Sequence, residues 1–234
     1  MPAPAGLFHI ADRVLRGEPV EAGDREAARA PTSSLLALSV LIVAFGMSYG
    51  GVMGMYGGLS GPRTAQLVYS AVKVPILIAA TFAMSLPSFY VMNLLTGLRG
   101  DFPQVLRALM TTQAGLTVIL TALSPFTAFW YVSGSGYQAA ILFNGAMFAV
   151  ASLGAQWMLR REYQPLIARD PRHRWMLRVW IFIFVFVGIQ TAWVLRPFVG
   201  DPDAPVEFFR QDSWSNAYEV VLAMIWNVLR GQGR

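Results

Sequence analysis

Apolar residues in this chain come in five long blocks, separated by short polar segments, rather than alternating with polar residues. The blocks lie at about 35–56, 67–95, 109–132, 137–159 and 176–199. A helix needs about 20 mostly apolar residues to cross the hydrocarbon core of a bilayer, whereas strands of a membrane barrel give short alternating segments. The pattern therefore predicts an all-α fold, a polytopic membrane helical bundle with five transmembrane helices.

Weaker patterns at the two ends divide the chain into three predicted parts. Residues 1–33 form a polar tail with a short amphipathic helix, which we expect on the membrane surface. Residues 34–200 form the five-helix transmembrane domain, and residues 201–234 form a loop and a second amphipathic helix. The apolar stripe of this second helix, within 214–230, is too short to span, so it either lies on the surface or re-enters the membrane.

Composition supports a membrane protein and argues against metal sites, cofactors and catalysis. Hydrophobic residues make up 55% of the chain and charged residues 13%, whereas soluble domains carry about 25% charged residues. Cysteine is absent, and the two histidines, His9 and His173, are far apart in sequence, so we predict no metal site and no cofactor. We expect His173 in a solvated loop. Because the chain carries no catalytic motif, the sequence predicts that the protein is not an enzyme.

The arginines predict the orientation in the membrane. If the N-terminus is cytoplasmic, twelve cationic residues fall in the inner segments and six in the outer ones. The positive-inside rule therefore places the N-terminus in the cytoplasm and the C-terminus outside. Five arginines crowd the inner segment 160–174, a predicted loop that either faces anionic lipid headgroups or docks a partner. Topology thus explains the net charge of +5, and no nucleic-acid partner is expected.

The first apolar block carries glycine at every fourth position, at Gly46, Gly50, Gly54 and Gly58. Glycine in a helix costs about 1 kcal/mol relative to alanine, so a whole glycine face needs a reason. Lipid tails are as apolar as leucine, and helices in a membrane therefore associate by close backbone contact, which small residues permit. The stripe predicts a helix-packing or partner surface, formed either with another helix of the same chain or with a second subunit.

Three polar side chains at membrane depth are candidates for a function. Lys73 lies near the outer end of the second block, where it could snorkel to the surface, pair with an acidic residue of the C-terminal region, or bind a substrate or ion. Gln113 and Asn144 either hydrogen-bond between helices or form a polar path together with Lys73. In the second block, Pro75 and Pro87 predict a bent or tilted helix.

Arg196 stands near the end of the last apolar block and is followed directly by Pro197. A salt bridge between Arg196 and Asp201 or Asp203 would turn the chain along the membrane surface. The alternative interpretation is that Arg196 binds an anionic headgroup or an acidic partner at the outer surface. The sequence leaves both interpretations open.

The segment WVLRPFVG at 193–200, followed by FFRQDSWSNAYE at 208–219, is similar to a pattern in other proteins. It resembles the C-terminal part of an uncharacterised family of bacterial multispan membrane proteins, in which W-x-L-R-P-F-x-G ends the last span. The similarity covers about thirty residues. The resemblance implies a small helical protein of the bacterial inner (cytoplasmic) membrane, and it transfers no site residues.

Two functional hypotheses follow from these patterns. The first is a non-catalytic membrane protein, which acts as a subunit, scaffold or assembly factor through helix packing. Its partners would be the lipid bilayer and either other membrane protein subunits or further copies of the same chain. The alternative is a small permease or channel component with a polar path near Lys73, which the proline-containing second block and the buried amides suggest.

Overall fold

The structure, a computed structural model, describes residues 4–18, 31–58, 61–134, 136–201 and 204–209. These residues form the helices α1 (Pro4–Arg16), α2 (Pro31–Gly54), α3 (Thr64–Leu95), α4 (Phe102–Val132), α5 (Tyr137–Arg169) and α6 (Arg172–Leu195). No strand occurs in this part of the chain, so the all-α class is confirmed. The predicted C-terminal amphipathic helix lies outside the described residues.

Five of these helices, α2 to α6, are long and apolar enough to cross a membrane. This confirms the predicted polytopic bundle and supports a multi-pass membrane protein. Two names for the ends of the bundle follow the predicted orientation. The inner end is where α3 leads into α4, and the outer end is where α2 leads into α3.

Two predicted spans end earlier than their apolar composition does. The first ends with α2 at Gly54, because Gly57 and Gly58 follow in the left-handed region, at φ +88° and +105°. The last ends with α6 at Leu195, because Arg196 precedes a proline and adopts ψ 152°. A residue before proline is driven out of the helical region in this way.

The predicted arginine-rich loop at 160–174 is wrong, because helix continues through most of it. α5 extends to Arg169, α6 begins at Arg172, and only Asp170 and Pro171 lie between them. Arginine, glutamate and glutamine are good helix formers, so the charged stretch continues the helix beyond its apolar part. The polar segment between the second and third apolar blocks is likewise shorter than their spacing indicates, because α4 begins at Phe102, directly after a 3-10 turn at Arg99–Asp101.

α2 lies at the centre of the bundle, in contact with α3 on one side and α4 on the other. α6 packs against α3 and α5 against α4, so the helices follow in the order α6, α3, α2, α4, α5. One buried apolar cluster lies around α2 and includes Leu41 and Leu120. A second cluster at the inner end joins α3, α4, α5 and α6 and includes Phe89 and Trp180.

The predicted N-terminal amphipathic helix forms, and part of its apolar side is buried against protein. Ala11 and Val14 of α1 belong to the cluster around α2, and the Phe8 ring meets the Phe45 ring edge-on at 5.9 Å. The Arg161 guanidinium donates a hydrogen bond to the carbonyl of Arg16, at the end of α1. A basic side chain there satisfies a backbone acceptor that the helix leaves unpaired. α1 is therefore part of the bundle.

Candidate functional site

The glycine stripe of α2 lies against the outer half of α3. A Cβ atom at position 50 would lie 2.9 Å from Ala71 Cα and nearer still to the Ser70 carbonyl oxygen. At Gly54 it would lie 2.6 Å from Leu67 Cα, whereas at Gly46 the nearest atoms are 3.5 Å away. The structure thus places a helix of the same chain against this face.

Gly58 is separate from that contact. It follows the end of α2, and a Cβ atom built on it would have no heavy atom within 4 Å among the described residues. Its φ of +105° is a backbone conformation that glycine adopts readily and residues with a side chain rarely adopt. The close contact with α3 therefore ends at Gly54.

A second face of α3 holds the chain that follows α6, which we call the closing segment (residues 196–201). Lys73 Nζ donates a hydrogen bond of 2.7 Å to the carbonyl oxygen of Pro197. Ser70 Oγ donates to the carbonyl of Phe198, and Gln66 Nε2 donates to the same oxygen at 3.2 Å. Spacings of three and four residues put these three donors on one side of the helix.

The closing segment is held along its length. Arg63 Nη1, just before α3, donates a hydrogen bond of 3.3 Å to the carbonyl oxygen of Asp201. Val199 is buried, and a Cβ atom on Gly200 would lie 2.8 Å from Gln66 Cγ. Backbone carbonyls are obligatory acceptors, so these contacts replace the water that the segment would otherwise bind. α3 therefore lies between the glycine stripe and the closing segment.

Lys73 does not reach the aqueous surface. Its side chain is fully buried, and Nζ lies 4.8 Å from the centre of the Phe208 ring as well as on the Pro197 carbonyl. No ion pair of Lys73 with a carboxylate occurs within the described ranges. The snorkelling interpretation is therefore wrong, and the ammonium is held by a carbonyl dipole and an aromatic face.

Asn144 connects three helices. Tyr49 of α2 donates its hydroxyl to Asn144 Oδ1 at 3.1 Å, and Asn144 Nδ2 donates to the Tyr131 hydroxyl of α4 at 2.6 Å. The Tyr131 hydroxyl in turn donates to the carbonyl of Met53 at 3.3 Å. The Asn144 amide also bonds the carbonyl of Ala140, one turn earlier in α5. These bonds make Asn144 a link between α2, α4 and α5.

The three residues of the predicted polar path do not meet. Lys73 faces the closing segment, whereas Asn144 faces α2 and α4. Gln113 is buried in α4, and its Oε1 has no hydrogen-bond partner in the part of the chain that the structure describes. No hydrogen bond among the described residues connects Gln113 to Lys73 or Asn144.

Arg196 lies at the start of the closing segment and is half-buried. Its guanidinium carbon stands 3.5 Å from the centre of the Trp193 ring, in a cation–π contact within the same turn of chain. The planar guanidinium is weakly hydrated and stacks readily on an indole. This contact fixes the side chain where α6 ends. Asp203, one of its predicted partners, lies outside the described residues.

The inner end contains a histidine pair that the sequence interpretation missed. His173 was expected in a solvated loop, but it lies in the first turn of α6 and its side chain is fully buried. Its Nε2 lies 3.0 Å from Asp101 Oδ2, and the Tyr163 ring meets the imidazole edge-on at 6.3 Å. The expectation failed because α6 begins at Arg172, immediately after Pro171. A proline directly before a run of helix formers was the signal that could have placed His173 in a helix.

The turn that joins α5 to α6 is tied to the end of α3. Arg172 pairs with Asp170 at 2.7 Å, and its Nη1 donates to the carbonyl of Thr96 at 2.8 Å. Hydrogen bonds from the Arg172 side chain and backbone lower the pKa of the Asp170 carboxyl below its ordinary value. The carboxylate therefore stays charged and keeps Arg172 in place beside the buried cluster at the inner end.

Asn144→Leu is expected to lower the free energy of unfolding by about 1–2 kcal/mol, because it leaves the buried Tyr49 hydroxyl without its acceptor and removes the hydrogen bond that the Tyr131 hydroxyl accepts. Unfolding of the purified protein by a denaturing detergent measures this change. Gln138→Leu is the matched control, since Gln138 lies on the same helix and is exposed. Equal stability of the two variants would contradict a structural role for Asn144.

Comparisons with protein-family models, with curated proteins and with solved structures find no match for this chain. Among the described residues, no group of three or more His, Asp or Glu side chains could hold a metal ion. The polar contacts of α3, of Asn144 and of His173 are therefore the observations from which a function can be inferred.

Proposed function

We propose that the chain is a non-catalytic integral membrane protein, which acts as a subunit, scaffold or assembly factor through helix packing and partner binding. The observation that carries the proposal is the use of its buried polar groups. Lys73 holds the closing segment, and Asn144 joins three helices. A route for cargo needs polar groups that are free to exchange partners along it. Polar groups that hold helices and the closing segment together instead favour a rigid bundle, the frame to which a partner would bind.

The frame has an outer end at which a partner could bind. The closing segment fixes where the chain leaves the bundle, and residues 204–209 continue from it. The Phe208 ring packs edge-on against the Tyr69 ring at 5.3 Å, whereas Phe209 is 45% exposed. An exposed aromatic side chain on a fixed backbone suits recognition by another protein. We place the partner, another membrane protein subunit or a second copy of the chain, at this end.

In the same proposal the membrane is the bacterial inner membrane, with the N-terminus in the cytoplasm and the C-terminus outside. The arginine-rich inner end supports this orientation through the positive-inside rule. A reporter fused after Arg234 tests it, because a fluorescent protein that matures only in the cytoplasm should stay dark there. A bright fusion would invert the orientation.

A photo-crosslinking amino acid at Phe209, introduced in cells that make the protein natively, is expected to give one discrete protein adduct. The matched control position is Leu142 of α5, which is 74% exposed on an apolar helix face and should crosslink only to lipid. Mass spectrometry identifies the adduct. It should have one stoichiometry and should weaken in Lys73→Met, which loosens the closing segment.

Two results would contradict the scaffold proposal. One is an absence of any protein adduct at Phe209, together with a monomeric protein in mild detergent. The other is solute flux through vesicles that contain only this protein, reduced in Lys73→Gln. That second result would favour the permease or channel alternative.

A further inference from the structure

Four polar atoms at the inner end of the bundle are buried without a hydrogen-bond partner among the described residues. They are Asn93 Oδ1, Tyr163 Oη, His173 Nδ1 and Trp180 Nε1. All four side chains are 0% exposed. Buried polar atoms are almost always paired, with protein or with ordered water, so four together need an explanation.

Tyr163 and Trp180 belong to the buried cluster at the inner end, and the other two side chains contact members of that cluster. Tyr163 of α5 lies against the His173 ring of α6. The Trp180 ring packs on the Phe89 ring at 5.0 Å, and Asn93 Nδ2 donates to the carbonyl of Phe89. His173 and Trp180 are two helical turns apart, so they face the same side of α6.

The chemistry of these atoms restricts what could bind them. Asn93 Oδ1 can only accept a hydrogen bond, and Trp180 Nε1 can only donate one. The Tyr163 hydroxyl and the His173 imidazole can do either. A cation cannot satisfy the indole N–H, and an anion cannot satisfy the amide oxygen. Water donates and accepts, and a buried water commonly makes about three such bonds.

Charged side chains lie on the aqueous side of this region. Asp101, whose side chain is 33% exposed, bonds His173 Nε2 from the turn before α4. Asp170 and Arg172 stand in the neighbouring turn, at the same end. From Arg172 to Trp180 is eight residues of helix, a depth of about 12 Å. Polar groups therefore continue from the surface into the bundle.

We propose that internal water molecules enter at Asp101, pass His173 and Tyr163, and reach Asn93 and Trp180, in a hydrated recess between α3, α5 and α6. The recess gives each of the four buried atoms a partner that both donates and accepts. It also makes His173 accessible to water although protein covers it on every side. This inference is independent of the proposed scaffold function.

Hydroxyl-radical footprinting of the intact protein in lipid nanodiscs tests the recess, since radicals formed from bound water oxidise the side chains beside it. Tyr163 is expected to be oxidised several-fold faster than Tyr49. The comparison is matched, because both side chains are fully buried and only the Tyr49 hydroxyl donates to a protein acceptor. Equal oxidation rates at the two tyrosines would overturn the proposal.

Tyr163→Phe provides a second test with opposite outcomes for a wet and a dry site. In a dry site the variant removes an unpaired buried hydroxyl, so the protein should become more resistant to thermal unfolding. In the hydrated recess it removes a hydrogen bond to water, so resistance should fall or stay the same. Tyr49→Phe is the control and lowers resistance in either case. A clear stabilisation by Tyr163→Phe would contradict the recess.

Discussion

Replacing Gly50 by leucine is expected to abolish the folded bundle, whereas the same replacement at Gly51 is expected to leave it folded. At position 50 even a Cβ atom would lie 2.9 Å from Ala71 Cα, a distance that real Cβ contacts essentially never show. The obstacle is the backbone of α3, which cannot turn aside as a flexible side chain can. At Gly51 a Cβ atom would have no heavy atom within 4 Å among the described residues.

The expected size of the effect is graded along the stripe. Gly50→Ala and Gly54→Ala should each lower the free energy of unfolding by about 1–3 kcal/mol, the usual cost of overpacking. Gly46→Ala should be neutral or slightly stabilising, because its nearest neighbours are 3.5 Å away and alanine favours helix by about 1 kcal/mol. Size-exclusion chromatography and detergent unfolding of the purified variants measure the series.

Two outcomes would contradict this account of the stripe. If Gly50→Ala unfolds at the same denaturant concentration as Gly51→Ala, the contact with α3 does not set the packing. If Gly50→Leu stays folded and only dissociates an oligomer, the stripe is an interface between subunits. The first outcome concerns packing energy and the second concerns the partner, so the two experiments separate them.

The sequence was sufficient to predict the small-residue face, but not what covers it. Regular glycine spacing reports that something must come close to α2. It contains no information on whether that neighbour is Ala71 of the same chain or a second subunit. Glycine spacing also could not predict where the stripe ends, since Gly58 continues the spacing yet lies in a turn. Periodicity describes a face only while the helix lasts.

Hydropathy placed the spans well, because crossing a membrane is a requirement on composition. It placed the helix ends poorly at 160–174, because a helix does not have to stop where apolar residues stop. Arginine-rich sequence can continue a helix as readily as it forms a loop. The burial of His173 followed from that error, since its partner Asp101 comes from a turn distant in sequence.

The partner of Lys73 could not have been predicted, for a different reason. Its acceptor is the backbone carbonyl of Pro197, and every residue has a carbonyl. No side-chain pattern marks which carbonyl will be free, so a search for complementary charges suggested acidic residues instead. The Pro197 carbonyl is available because α6 ends at Leu195. The closing segment is not helical, so no hydrogen bond within a helix uses this carbonyl.

Lys73→Met is expected to release the closing segment from α3. Lys73 is the chain's single lysine, and methionine is of similar length but cannot donate to the Pro197 carbonyl. Losing a hydrogen bond to a charged donor costs about 1.5–3 kcal/mol, and the part-buried carbonyl is left without its donor. Removing the desolvated ammonium recovers part of that energy, but the unpaired carbonyl decides the sign. The segment should therefore open about tenfold more often.

Because the chain has no cysteine, a single cysteine in place of Val199, which is buried in the closing segment, reports this opening without a background. Its rate of labelling by a water-soluble maleimide should rise about tenfold in Lys73→Met. A cysteine in place of Val132, at the end of α4 and 87% exposed, is the control and should label at one rate in both proteins. Ser70→Ala removes a neutral hydrogen bond to the next carbonyl and should give a smaller increase. Unchanged labelling at position 199 in Lys73→Met would mean that the ammonium does not hold the segment, and the remaining contacts of Gln66 and Arg63 would then have to account for its position.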